Sequence, residues 1–310
     1  LINQSYTRAK DNLEEVGLGK ITGGKIDIGT HITFATVQTL CKVDLNEYKN
    51  EWDLIIVDEV HRLTGTPTQL GLFYKIISNL SSRYKIGLTA TPFRNIKGTE
   101  IAMFSLLGDI ICEIPKEIVS DKTTKAKITK VDTEFKISEE LQKSDGTIDY
   151  AKLTTSLCEN KNRNELVLKY LKENKGKSCL VLSDRIIGLK SLQEKLGYGV
   201  MIDGTMTSKK NKAKREMAIQ DMRDGIESVL FASYGLAKEG LDIPRLERLF
   251  LVAPHRDKAT IIQSVGRIER KFESKNDPLV YDFVDDTIFH ENMWKQRKRI
   301  YKGNGNIIKE

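Results

Sequence analysis

At 310 residues, 39% of them hydrophobic and with a formal net charge of +7, the chain is long enough for two domains that each bury a core. Its four cysteines, Cys41, Cys112, Cys158 and Cys179, form no Cys-x-x-Cys, and no apolar run approaches the roughly 18–20 residues of a membrane span; zinc, disulfides and a membrane partner are therefore not expected, and a soluble, cytosol-like setting is. The charge is uneven, with 12 Lys and Arg against 13 Asp and Glu in residues 1–115 and 38 against 30 in the remainder, so the second part suits a polyanion such as nucleic acid or is a lysine-rich solvated surface.

The chain opens without methionine and inside a helical pattern, Leu1 to Val16, so a preceding segment is expected. Thr22-Gly-Gly-Lys25 is a turn whose two backbone amides can approach an anion closely. A strand follows from Ile32 to Thr36, and Val37-Gln-Thr-Leu40 opens a helix whose free amides and threonine hydroxyls can bind phosphate or simply cap the helix. Trp52 to Val57 has the composition of a buried parallel strand. Asp58 and Glu59 come at its carboxyl end, where open parallel sheets bind ligands. Asp58 is placed to hold Mg²⁺ through its waters and Glu59 to orient and deprotonate an attacking water in phosphoanhydride hydrolysis; two acids after a strand also serve as a plain helix cap. A helix from about Thr68 to Leu80 and a strand from Tyr84 lead to Thr89-Ala-Thr91-Pro92, a compact polar connection on the same sheet edge.

Residues 116–150 turn Lys- and Glu-rich, with Lys122 to Lys130 alternating in strand fashion, and are assigned to a connection with accessory strands between a first domain, 1–115, and a second, 151–310. A helix from Leu153 to Glu173 opens the second domain. Its core strands are Ser178–Ser183, Gly199–Ile202, Ser228–Ala232, Leu246–Val252 and Pro278–Val284, separated mostly by helical spacers in the α/β doubly wound pattern. Within Ala232 to Pro244, Gly240 permits close backbone approach to a ligand, and Asp242 can accept from ribose or position a loop. Thr260 to Arg270 reads as a helix with Arg267 and Arg270 on one face. Two guanidiniums so placed can clamp a γ-phosphate, an arginine-finger role with an effect of about 10³–10⁵ on rate, and Gln263 stands one turn earlier; a solvated basic helix would look the same. The run Lys295-Gln-Arg-Lys-Arg299 in the C-terminal tail fits a solvated helix end that could touch phosphates.

Together, Asp58-Glu-Val-His61, Thr89-Ala-Thr91, Glu239-Gly-Leu-Asp-Ile-Pro244 and Gln263-Ser-Val-Gly-Arg-Ile-Glu-Arg270 resemble motifs II, III, V and VI of superfamily-two helicases of the DExH kind, over nearly the whole chain. Ala232-Ser-Tyr-Gly235 and Tyr281-Asp-Phe-Val-Asp-Asp286 look most like the phage UvsW-type repair and recombination helicases. The resemblance implies an α/β fold of two RecA-like doubly wound parallel-sheet domains, the first truncated at its N-terminus, with ATP in their cleft and nucleic acid across their tops. On that basis Asp58 and Glu59 form the Mg²⁺ and water site, and His61, Thr89, Thr91 and Gln263 couple the domains. Gly240 and Asp242 face the nucleotide, and Arg267 and Arg270 reach its γ-phosphate. Thr22, Gly23, Gly24, Thr36 and Gln38 would hold the nucleic-acid backbone on the first domain, and Ser183 and Arg185 on the second, giving sequence-independent, salt-sensitive binding. DNA, single-stranded or branched, is the favoured partner, in a bacterial or phage-infected host cytosol.

One departure stands out: the family's Gly-x-x-x-x-Gly-Lys-Ser/Thr phosphate loop is absent from these residues. Gly176-Lys177-Ser178 does not supply it, because Leu171 replaces the first glycine and the triplet precedes a strand. These residues alone are therefore expected to bind ATP poorly and hydrolyse it negligibly. Two alternatives are a non-hydrolysing nucleic-acid-binding module, which would not need Glu59, Arg267 and Arg270 together, and an RNA helicase. The motor of a restriction machine would call for nuclease or methyltransferase motifs that the sequence lacks.

Overall fold

The computed structural model describes residues 2–309 except 45, 67–68, 90–100, 116–117, 119–122, 139–140, 142–147, 205–208, 239–240 and 274. The chain forms two compact units, Leu1–Glu113 and Ile114–Glu310.

In the first unit, helix α1 (Ile2–Asn12) precedes strands β1 (Leu18–Thr22), β2 (Lys25–Asp27) and β3 (Ile32–Ala35), with β1 antiparallel to β2 and parallel to β3. The short helix α2 (Val37–Leu40) leads to β4 (Trp52–Asp58). A small antiparallel pair, β5 (Gly65–Thr66) and β6 (Gln69–Leu70), then precedes α3 (Leu72–Asn79), β7 (Ser82–Leu88) and α4 (Ile101–Leu107). Strands β4 and β7 pair in parallel from Trp52 with Ser82 to Asp58 with Leu88.

Side chains alternate along a strand. On one face of β4, Val57 and Ile55 join Val60, Ile76, Ile77 and Met103 in a core. Leu54 and Ile56 point the other way, opposite Tyr84 and Ile86, and are 45% and 58% exposed; Tyr84 and Leu88 are 55% and 51% exposed. Trp52–Val57 was expected as a buried strand, and here it differs: among the described residues one face is packed while Leu54 and Ile56 on the other stay about half exposed.

The second unit is built on a seven-stranded sheet of order β10-β11-β9-β12-β13-β8-β14, parallel throughout. Its elements are β8 (Lys127–Thr133), α5 (Tyr150–Glu159), α6 (Lys161–Glu173), β9 (Cys179–Leu182), α7 (Ile186–Leu196), β10 (Val200–Ile202) and α8 (Lys209–Asp224). There follow β11 (Val229–Ala232), α9 (Tyr234–Lys238), β12 (Arg248–Leu251), α10 (Lys258–Glu269), β13 (Leu279–Asp285), α11 (Ile288–Gly303) and β14 (Ile307–Lys309). Leu180 and Leu182 enter one apolar cluster and Cys179 and Val181 another, so both faces of the sheet are packed, as a parallel sheet requires.

Three expectations are corrected. Residues 153–173 form two helices, because Asn160 takes extended backbone and caps α6 by accepting the Arg163 amide. The alternating stretch read as an accessory strand is β8, an interior strand between β13 and β14; alternation reveals a strand but not its neighbours. The Lys295–Arg299 run is not simply a solvated end, since Arg297 is 1% exposed.

Candidate nucleotide and nucleic-acid site

The parallel register of β4 and β7 sets Asp58 opposite Leu88, and so brings Glu59 and Thr89 to one strand edge. Asp58 is exposed, and its Oδ1 accepts the Glu59 amide at 2.8 Å. Glu59 has φ 50° and ψ 44°, a left-handed conformation costing a residue with a Cβ on the order of 1–3 kcal/mol and kept only where the surroundings fix it. A tight turn, Val60–Arg62, follows, and it folds His61 back so that Nδ1 lies 3.1 Å from Glu59 Oε2 and 3.0 Å from Thr89 Oγ1. The hydrogen bond is the one to Thr89, with His61 or Thr89 as donor according to the tautomer, while Glu59 Oε2 stands at ion-pair distance from the same nitrogen and attracts it when the ring is protonated. Either way the almost buried imidazole joins the ends of β4 and β7. Thr91 lies outside the described residues.

Among the described residues no cluster of three or more carboxylate, histidine or cysteine side chains could hold a metal unaided. A single exposed carboxylate with hard oxygens fits an ion that arrives with a nucleotide and keeps its waters, the habit of Mg²⁺.

Thr22, Gly23 and Gly24 lie at the β1–β2 hairpin, whose register pairs Thr22 with Lys25. Gly23 and Gly24 have φ 58° and 80°, the mirror-image turn that suits strand twist, so conformation alone accounts for both glycines. Thr36 caps α2: its Oγ1 accepts the Thr39 amide at 3.2 Å. Gln38 is exposed on that helix. In the second unit Ser183 is 3% exposed, and its Oγ accepts the Arg185 amide at 3.1 Å. Its hydroxyl thus shapes the turn after β9, while Arg185 donates to Ala151 O at 3.2 Å.

The two arginines are arranged differently from a pair on one helix face. Arg267 sits in the last turn of α10, and its Nε and Nη1 donate to Ala237 O at 3.1 Å and Leu241 O at 3.0 Å. Arg270 is one residue past the helix with extended backbone, and its Nη1 forms an ion pair with Asp242. Asp242 thereby holds an arginine, and its carbonyl accepts Arg223 Nε at 2.7 Å. Gln263 is partly exposed one turn before Arg267; Gly240 lies outside the described residues.

Sequence inspection missed the frame behind α10. Four successive carbonyls in the loop that launches it each accept from a different side chain: Val252 from Arg163 at 2.5 Å, Ala253 from Tyr234 at 2.7 Å, Pro254 from Tyr150 at 3.3 Å and His255 from Arg297 at 3.2 Å. Two buried acids hold the arginines of that set. Asp282 accepts Arg297 Nε and Nη2 at 2.8 and 2.7 Å and the Tyr301 hydroxyl at 2.6 Å. Asp285 accepts Arg163 Nε at 2.6 Å and Thr133 Oγ1 at 2.5 Å. The available signal was spacing: Met293, Trp294, Arg297 and Tyr301 share the buried stripe of α11, so an arginine occupied a core position.

Residues 1–94 match the family described as type III restriction enzyme, res subunit, and residues 162–271 match the helicase conserved C-terminal domain. L396 of Acanthamoeba polyphaga mimivirus, whose name describes an ATP-dependent RNA helicase, is 27% identical over 96% of this chain and 56% of its own length. The ATP-dependent DNA helicase uvsW of Enterobacteria phage T4 is 22% identical over 88% of this chain and 54% of its own. The chain thus spans about half the length of the curated relatives it matches. Among solved structures, S. cerevisiae Dbp5 bound to RNA and ADP BeF3 superposes with a TM-score of 0.68 at 16% identity, covering 99% of this chain and 73% of Dbp5; that likeness establishes the RecA-like fold.

Proposed function

The chain belongs to the superfamily-two helicases, and from that premise we propose that it is the two-lobed core of an ATP-hydrolysing motor that moves on or remodels DNA, single-stranded or branched. One observation carries the reading: the strained Glu59, held beside His61 and Thr89 at the carboxyl end of β4. A carboxylate there suits taking the proton of a water attacking the γ-phosphate, and Asp58 suits holding the magnesium that travels with ATP. Magnesium when bound supplies charge neutralisation for the phosphates. His61 can link Glu59 to Thr89, because the charge of the carboxylate bears on the protonation of the ring that hydrogen-bonds Thr89. In the second unit Arg267 and Arg270 are the guanidiniums for the γ-phosphate, and Arg270 must leave Asp242 to serve it.

Thr22, Gly23, Gly24, Thr36 and Gln38 are assigned to the nucleic-acid backbone, through amides and exposed polar groups. Arg185 has the same role in the second unit, and Ser183 supports it through the turn. The cytosol of a bacterial or phage-infected host cell is the assigned place of action; among the described residues no helix is long and apolar enough to cross a membrane.

The test compares ATP hydrolysis, with and without single-stranded and branched DNA, for these 310 residues and for a form extended to include a phosphate-cradling loop. DNA-stimulated turnover confined to the longer form and abolished by Glu59→Gln is expected. No turnover in either form, with salt-sensitive DNA binding intact, would refute the motor and leave a binding module. Stimulation by RNA in place of DNA would reassign the substrate, an outcome motivated by the RNA bound to Dbp5.

A further inference from the structure

Glu269, between the two arginines in sequence, is 4% exposed at the carboxyl end of α10. A carboxylate is badly placed there: it is buried, and it faces the negative end of a helix dipole. Specific partners must therefore hold it, and three do. Its Oε1 accepts the Ala126 amide at 3.0 Å and Asn306 Nδ2 at 2.5 Å, and its Oε2 lies 3.3 Å from Lys125 Nζ.

The backbone continues the same fastening. Thr124 donates its amide to Glu269 O at 2.8 Å, and Thr123 bridges to Arg270. From the other side Lys275 Nζ donates to Arg270 O at 2.6 Å. Residues 123–126 are the segment by which the chain, having left the first unit at Glu113, runs into the first strand of the second. Asn306 Nδ2 also donates to Ala126 O at 3.3 Å, tying the turn before the C-terminal edge strand into the same cluster.

The two ends of α10 are thus held by different things. Its beginning is launched from the four pinned carbonyls, whose donors all lie within the second unit. Its end, with Arg270 just beyond, is fastened to the incoming chain. We infer that Glu269 is a positioning residue for Arg270, locking the entering segment 123–126 to the arginine's backbone so that a pull on the connection between the units shifts Arg270 relative to Asp242. This rests on the proposed role of Arg270 at the γ-phosphate, although the fastening itself can be tested without it.

The test is covalent labelling of arginines by a dicarbonyl reagent, read residue by residue by mass spectrometry, on the 310-residue chain and its Glu269→Ala and Glu269→Gln variants. Glu269→Ala is expected to raise labelling of Arg270 about fivefold, the scale of one lost hydrogen bond, while the buried Arg163 and Arg297 remain protected. Glu269→Gln keeps an acceptor for Ala126 and should restore most of the protection. Equal labelling of Arg270 in all three chains would overturn the inference. So would a parallel rise at Arg163 and Arg297, since that would report a loosened fold. Should Glu269→Ala fail to fold, Thr124→Pro, which removes the amide donated to Glu269 O and leaves Glu269 itself in place, decides by the same comparison. In the longer, ATP-hydrolysing form, Glu269→Ala is expected to lower kcat about tenfold with KM changed less than about threefold, the mark of an interaction made in the transition state. If that form hydrolyses no ATP at all, the proposed function falls, while selective labelling of Arg270 would leave the fastening standing.

Discussion

Arg297 offers the sharpest test of how the second unit is held together. It lies in a run of basic residues, yet its guanidinium makes a two-pronged contact with Asp282 and a further bond to His255 O. Arg297→Met keeps most of the aliphatic stem and removes the charge. Asp282, 1% exposed, is then left with Tyr301 as its remaining partner among these three. Deleting one side of a buried pair costs about 3–5 kcal/mol, because the other charge stays desolvated, whereas losing the single bond to His255 accounts for only about 1 kcal/mol. The stranded carboxylate therefore dominates. In a unit of this size each kcal/mol moves the midpoint by about 2–4 °C, so the drop should be roughly 6–20 °C by scanning calorimetry. Arg299→Met, at an exposed position two residues on, should stay within about 0.5 kcal/mol of the parent. Combining Arg297→Met with Asp282→Asn should recover much of the loss, since no charge is then stranded. A midpoint for Arg297→Met indistinguishable from that of Arg299→Met would refute the account.

Two pH dependences and a backbone effect follow from the same structure. Burial pulls the His290 imidazole down to about 4, with Asp285 only partly opposing it, while the unfolded chain takes up that proton near 6.5. Stability should therefore fall as pH drops from about 6.5 to about 4, and His290→Leu should flatten urea midpoints across that window. Burial also lowers the Lys275 ammonium to about 8, with Glu247 opposing. Between about 8 and 10.5 the unfolded chain holds a proton that the folded one has released, so stability should rise with pH there, and Lys275→Met should remove that rise. Gly24→Ala, at φ 80° with nothing within 4 Å of an added Cβ, should cost the first unit about 1–2 kcal/mol through conformation alone, as measured by denaturant unfolding.

Much of the second unit was legible because each core strand is a short apolar run bounded by turn residues, and such runs locate strands whatever surrounds them. The meeting of Asp58, Glu59, His61 and Thr89 was legible for a related reason: the residues stand at strand ends, where parallel pairing gathers them. Long-range partners were not. Nothing near Lys127–Thr133 says that its neighbours will be β13 and β14, more than a hundred residues away. Spacing put Arg267 and Arg270 three apart, but the helix ends between them, and each was assigned a different partner by the α9–β12 connection. Ser183 matched a nucleic-acid segment by position, yet its hydroxyl shapes its own turn.

The loop from Val252 to His255 has one further implication, for how this unit can change over generations. Its shape is dictated by Tyr150, Arg163, Tyr234 and Arg297 through bonds to main-chain oxygens, which every amino acid possesses. The loop's own letters are thereby released from the task of keeping it rigid, and the obligation passes to four positions scattered over almost 150 residues of chain. Relatives should therefore drift within the loop while holding those four remote sites, the reverse of what is expected when a segment guards its own form.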